Sequence, residues 1–113
     1  MTSLADSPTA HLSPADMAER AGEVAALLKT LAHPVRLMLA CTLAQGEYAV
    51  GELEDMLDIH QPTLSQQLTV LREAGIVQTR REGKQIFYTL TADKAARLIE
   101  ALYAIYCAPD AAP

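Results

Sequence analysis

Tryptophan is absent from this sequence, and the only aromatic residues are one phenylalanine and four tyrosines. With so few rings and half of all residues hydrophobic, the core has to be built from Leu, Ala, Val and Ile. A small aliphatic core on helices commonly hides the rest of its apolar surface against a second copy. No stretch reaches the ~18–20 apolar residues that a bilayer span needs, so no membrane is expected. The opening "MTSLADSPTAHLSPAD" has neither a basic n-region nor an apolar h-region, which excludes a secretory signal and points to the cytoplasm. Cysteine is scarce: Cys41 and Cys107 are the two. In a reducing compartment such a pair is free, metal-binding or redox-active rather than a permanent bridge. Basic residues are the minority charge, nine against fourteen acidic, for a net charge of -5, which excludes a general nucleic-acid coat.

The charge is unevenly spread. Residues 45–60 hold Glu47, Glu52, Glu54, Asp55 and Asp58 and no Lys or Arg, whereas 61–90 hold Arg72, Arg80, Arg81 and Lys84 against Glu73 and Glu82. A locally positive surface on an acidic protein is still an electrostatic footprint for DNA.

Residues 1–12, rich in Ser, Thr, Pro and Ala, read as a flexible N-terminal tail. Ser13-Pro14-Ala15-Asp16 is a helix start: Ser13 caps, Pro14 fits the first turn, and Asp16 suits the positive end of the dipole. That helix runs to about Leu31, with Met17, Val24, Leu27, Leu28 and Leu31 at helical spacing. Pro34 opens a second, to about Ala44. It is apolar on nearly every side (Val35, Leu37, Met38, Leu39, Ala40, Cys41, Leu43), which predicts burial at the centre of the domain, and Gly46 ends it. A third, about Val50 to Leu57, turns Leu53, Met56 and Leu57 inward. The fourth begins "QPTLSQQLTVLREAGIV", with Pro62 in its first turn, a buried stripe of Leu64, Leu68, Val70 and Leu71, and Gly75 as terminator. Helix three, a break at Asp58–His60, then helix four is the spacing of a helix-turn-helix.

After Gly75 the period changes to alternation. "IVQTRREGKQIFYTL" predicts two strands around Glu82-Gly83-Lys84, with Ile76, Ile86, Tyr88 and Leu90 on one side and Arg80, Lys84 and Gln85 at the tip. Thr91 is the expected cap of a last helix, about Ala92 to Cys107, that Pro109 ends. Its Leu98, Ile99, Leu102, Tyr103, Ile105 and Tyr106 require a broad core contact or a partner subunit. The fold class is thus mainly α with a small β-hairpin, a winged helix-turn-helix over residues 13–108, with 109–113 as a flexible C-terminal tail.

Helix four carries uncharged hydrogen-bonding groups where a solvated face would carry Lys and Glu. Amides and hydroxyls match base edges in the major groove, while charges elsewhere grip phosphates. The expected DNA contacts are Gln61, Thr63, Ser65, Gln66 and Gln67 on the helix, and Arg80, Arg81 and Lys84 on the wing.

The pieces "LAHPVRL", "GELEDML", "QPTLSQQLTVLREAGIV" and "REGKQIFYTL", within a stretch from about Leu28 to Leu90, resemble the ArsR/SmtB family of winged-helix repressors. The resemblance implies a homodimer joined through the first and last helices, a pseudo-palindromic double-stranded operator, and an inducer that lowers DNA affinity. The familiar metal sites of the family are missing. "EYAVGEL" has no thiol at the start of helix three, and no His follows His60, although Asp93 and Glu100 stand on the last helix. His11, His33 and His60 are scattered over tail, loop and turn. Neither a metal nor any other cofactor is expected, nor a catalytic residue. Cys41 and Cys107 occupy positions that resemble those of the persulfide-sensing SqrR/BigR branch. There the resemblance implies that reactive sulfur species link the two cysteines, DNA is released, and sulfide-oxidising genes are expressed. Peroxide, arsenite or a soft metal acting on the same thiols is the alternative signal. Taken alone, Cys41 on its apolar helix also fits a small buried hydrophobe. A thiol enzyme would need an activating cation or donor near a cysteine, and none is evident.

Overall fold

A computed structural model describes residues 12–107. The tails expected at 1–12 (Leu12 excepted) and 109–113, His11 and the Pro109 stop lie outside the described residues. Five helices and a small sheet follow in the order α1 (Pro14–Leu31), α2 (Pro34–Leu43), β1 (Tyr48–Ala49), α3 (Val50–Leu57), α4 (Gln61–Glu73), β2 (Val77–Glu82), β3 (Gln85–Leu90) and α5 (Lys94–Tyr106). This is a winged helix-turn-helix. No single helix among the described residues is long and apolar enough to cross a membrane.

Local chemistry sets the helix starts. The Ser13 hydroxyl accepts from the Asp16 amide at 3.1 Å, with Pro14 behind it. His33 caps α2 through Nδ1, which accepts from the Val35 amide at 3.2 Å. The Glu52 carboxylate accepts from the Ala49 amide at 2.8 Å and so closes the start of α3. The expected Thr91 cap is displaced by two residues. Asp93 is the N-cap of α5, its Oδ1 accepting from Ala95 and Ala96, while the Thr91 amide donates to the Ile76 carbonyl. A carboxylate is the stronger partner for helix N–H groups.

The core takes one stripe from each element: Leu31 from α1, Leu39, Ala40 and Leu43 from α2, Leu53 from α3, Leu64, Leu68 and Leu71 from α4, and Ala96 and Ile99 from α5. Ile76, Val77 and Leu90 close it from the sheet side. Two inward expectations on the helices fail. α2 is buried only along its Leu39–Leu43 side, since α1, α4, α5 and β3 pack there, and Leu37 and Met38 are exposed. On α3, Leu53 is buried and Leu57 half-buried at i, i+4, which leaves Met56 in solvent. Met17, Val24 and Leu28 on α1 are exposed as well.

The hairpin is longer than a wing alone. β1 adds a third, antiparallel strand, giving the order β1-β3-β2, with Tyr48 opposite Tyr88 and Ala49 opposite Phe87. In the β2–β3 register Val77 faces Leu90, Thr79 faces Tyr88 and Arg81 faces Ile86. That face is buried at the Leu90 end only, so Ile86, expected to point inward, is exposed near the tip. Gly83 turns the hairpin at φ +64°.

The helix-turn-helix break depends on Asp58, which ends α3 at φ +56°, ψ +46°. Aspartate tolerates the left-handed region, but a β-branched residue does not. Asp58→Val is expected to destabilise the fold by about 1–2 kcal/mol, and Asp58→Gly to be near neutral. A urea midpoint that falls for valine but not for glycine checks this.

Candidate nucleic-acid interface and dithiol

Leu64, Leu68 and Leu71 seat α4 on the core, so its opposite face is solvent-facing: Gln61, Thr63, Ser65 and Gln66 are all exposed. Thr69 is exposed too, although its hydroxyl donates back to the Ser65 carbonyl at 2.9 Å. Gln67, expected among the DNA contacts, is half-buried instead. Its Oε1 accepts from Arg36 Nη1 at 2.9 Å.

The wing divides its cations. Arg81 and Lys84 are exposed at and beside the tip. Arg80 lies further back and is already held. Its Nε and Nη2 donate to the two carboxylate oxygens of Glu47 at 2.8 and 2.9 Å, and Nη1 donates to Glu82 at 3.3 Å. The same guanidinium sits 4.7 Å over the Phe87 ring. The hydrogen bonds from Arg80 hold the Glu47 carboxyl below its usual range. Arg80 thus ties the root of the wing to the segment entering β1. Glu47 was missed as its partner because β1, which it precedes, was not foreseen.

The two cysteines, distant in sequence, are brought together where α2 packs on α5. Both are free thiols; Cys41 is half-buried and Cys107 exposed. Burial pushes the Cys41 thiol up, and the neighbouring Cys107 pushes it the same way. No cation contributes to the shift; of the two candidate charges, Arg36 and Lys29, Arg36 is turned to the Thr30 carbonyl at 2.6 Å and to Gln67. Cys41 is therefore a protonated thiol at neutral pH, next to an accessible second thiol. Cys107 is expected to be alkylated first by iodoacetamide. The Cys41 rate should stay low at neutral pH and rise only above the ordinary thiol range, as read by peptide mass spectrometry. The same shift weakens folding only at alkaline pH, where the unfolded chain ionises this thiol before the folded one does.

Residues 33–79 match the model of the bacterial regulatory proteins of the arsR family. The biofilm growth-associated repressor of Agrobacterium fabrum is 81% identical over 94 residues, which is 83% of this chain and 80% of the relative. The chain belongs to the ArsR family. Within it the chain falls in the SqrR/BigR branch. The crystal structure of the transcriptional repressor BigR from Xylella fastidiosa superposes with a TM-score of 0.80 at 67% identity, covering 84% of this chain and 94% of that one. Reduced HlyU from Vibrio cholerae gives 0.77 at 39% identity, covering 82% and 98%.

ArsR proteins are regulators, not enzymes. Among the described residues, no group of three or more His, Cys, Asp and Glu side chains could hold a metal ion. Some residues at the positions where the resemblance would put a metal have structural work here. Asp93 caps α5, and Tyr48 and Ala49 form β1.

Proposed function

We propose that the protein is a homodimeric, cytoplasmic repressor that holds operator DNA while Cys41 and Cys107 are thiols. Reactive sulfur species join the two cysteines, DNA is released, and sulfide-oxidation genes are expressed. The single observation that carries the switch is the adjacency of two free thiols on α2 and α5. The repressor half is supported by the relatives, which are described as repressors. A relative described as reduced supports a redox signal.

The dimer is supported by apolar surface that this chain leaves open. Met17, Val24 and Leu28 lie along α1, and Ile105 and Tyr106 lie at the end of α5. A groove of about 670 Å³ between α1 and the start of α5 adds to it. Pairing through these helices sets the spacing of the two α4 helices against successive major grooves. Gln61, Thr63, Ser65 and Gln66 then meet base edges, and Arg81 and Lys84 meet flanking phosphates. Arg80 contributes by holding the wing.

The chemistry balances as a two-electron oxidation of the dithiol. Cys107 thiolate attacks a sulfane sulfur of a polysulfide. The donor S–S bond breaks, and the departing sulfide keeps the electron pair. Cys41 then loses its proton and attacks the Cys107 sulfur of the new persulfide, expelling hydrosulfide and leaving a disulfide. Attack further out on a longer adduct leaves extra sulfur in the link. Joining α2 to α5 changes the dimer scaffold, and a coupling of about 1–3 kcal/mol is typical of such switches.

The test is fluorescence anisotropy of the reduced protein on its upstream DNA, before and after a polysulfide donor, with peroxide, arsenite and zinc alongside. Release by polysulfide, reversed by a reductant, is the expected result. Release by another agent alone would move the signal to that agent. No binding would remove the repressor assignment.

A further inference from the structure

α4 presents its polar side chains in two different states. Gln66 is exposed, and Gln67, about 100° further round the helix, is half-buried and bonded to Arg36. Arg36 stands in the first turn of α2 and serves three helices at once. Its Nε donates to the Thr30 carbonyl, in the last turn of α1, where helix carbonyls lack intrahelical partners and the dipole favours a cation. Its Nη1 donates across to Gln67, 31 residues away on α4. The planar guanidinium fork allows both bonds from one rigid group, which a lysine cannot do.

We propose that Arg36 is the positioning residue of the reading helix and that Gln67 is its anchor, not a reader of base edges. Arg36 fixes the rotation of α4 relative to the α1–α2 corner, and with it the direction in which Ser65 and Gln66 point. It is also the polar tie from the helix bearing Cys41 to the helix meeting DNA. This rests on the assignment of α4 to DNA, and the experiment separates the two.

Gln67→Glu distinguishes anchor from reader. An anchor glutamate still accepts from Arg36 and is neutralised there, so operator affinity should stay within about threefold of wild type. A glutamate facing the groove meets phosphates and base acceptors and should lose at least about tenfold. Gln66→Glu is the control on the exposed face and should show that larger loss. Arg36→Gln breaks the fork. It should lower the ratio of operator affinity to affinity for scrambled duplex by about tenfold. A residue that only supported folding would reduce the competent fraction without moving that ratio among molecules that bind. Anisotropy on both duplexes, with circular dichroism to confirm helix content, reads all three variants. Equal collapse of Gln67→Glu and Gln66→Glu would overturn the anchor, as would an unchanged ratio in Arg36→Gln. Indifference of Gln66→Glu would overturn the DNA assignment of α4 and the anchor with it.

Discussion

Replacing Cys41 or Cys107 by serine is expected to leave operator binding by the reduced protein within about twofold and to abolish release by polysulfide, a response of roughly 5–150-fold in the parent. Neither thiol lies on α4 or the wing, so the substitutions leave the side chains of the proposed DNA surface unchanged. Serine conserves shape, and at half-buried Cys41 its hydroxyl is partly hydrated, which limits the folding cost. With Cys107 alone a persulfide can form but cannot be resolved within the chain. With Cys41 alone the remaining thiol is the hindered, protonated one. Anisotropy before and after the donor, with intact mass of each variant, checks both halves. A variant that still released DNA normally would place the switch elsewhere.

The largest effect on stability is expected at Leu68→Ala. Leu68 is fully buried at the middle of the α4 stripe, flanked one turn to either side by Leu64 and near Leu71, both also fully buried. Replacing its isobutyl group by methyl leaves a cavity in the aliphatic core, for about 2–5 kcal/mol. Against a total of about 5–15 kcal/mol for a domain, that is a substantial share of the stability. The urea midpoint should fall strongly, and operator binding should fall with it, because the same stripe orients the reading face. Met56→Ala, at a side chain 51% exposed, should move the midpoint by about 0.5 kcal/mol or less and serves as the comparison. Similar shifts for the two would mean that the α4 stripe is not the keystone of the core.

The elements legible in the sequence were those written in local chemistry. Ser13-Pro14, Pro34 and Pro62 mark helix starts, the leucine stripes carry the period, and Gly83 marks the hairpin turn. β1 was illegible because two residues have no period; it exists only through pairing with Tyr88 and Phe87. Thr91 and Asp93 are both cap-forming residues two positions apart, and the carboxylate bond to Ala95 and Ala96 decides between them. Leu37 and Met38 were expected inside because an apolar side chain reads the same in sequence whether a neighbouring element covers it or not. Within the candidate site, Gln61, Thr63, Ser65 and Gln66 are exposed on α4, and Cys41 and Cys107 are neighbours, whereas Gln67 is turned to Arg36. The contacts of Arg36 and Arg80 were not legible. Their partners, Gln67 and Glu47, lie 31 and 33 residues away, and only tertiary packing decides where so long a side chain ends.

The ion pair at the root of the wing bears on how the protein finds its target. With Arg80 paired to Glu47, each wing of the proposed dimer would offer Arg81 and Lys84 to phosphates, about four cations in all. Counterion release then predicts a shallow salt dependence, near −4 in log K against log salt, and weak attachment to random sequence. Such a dimer would spend little time parked on non-cognate DNA and would sample the chromosome by frequent release. On the proposed reading its occupancy of a promoter would be governed by the uncharged side chains of α4, so a modest loss of their alignment would suffice to clear the site.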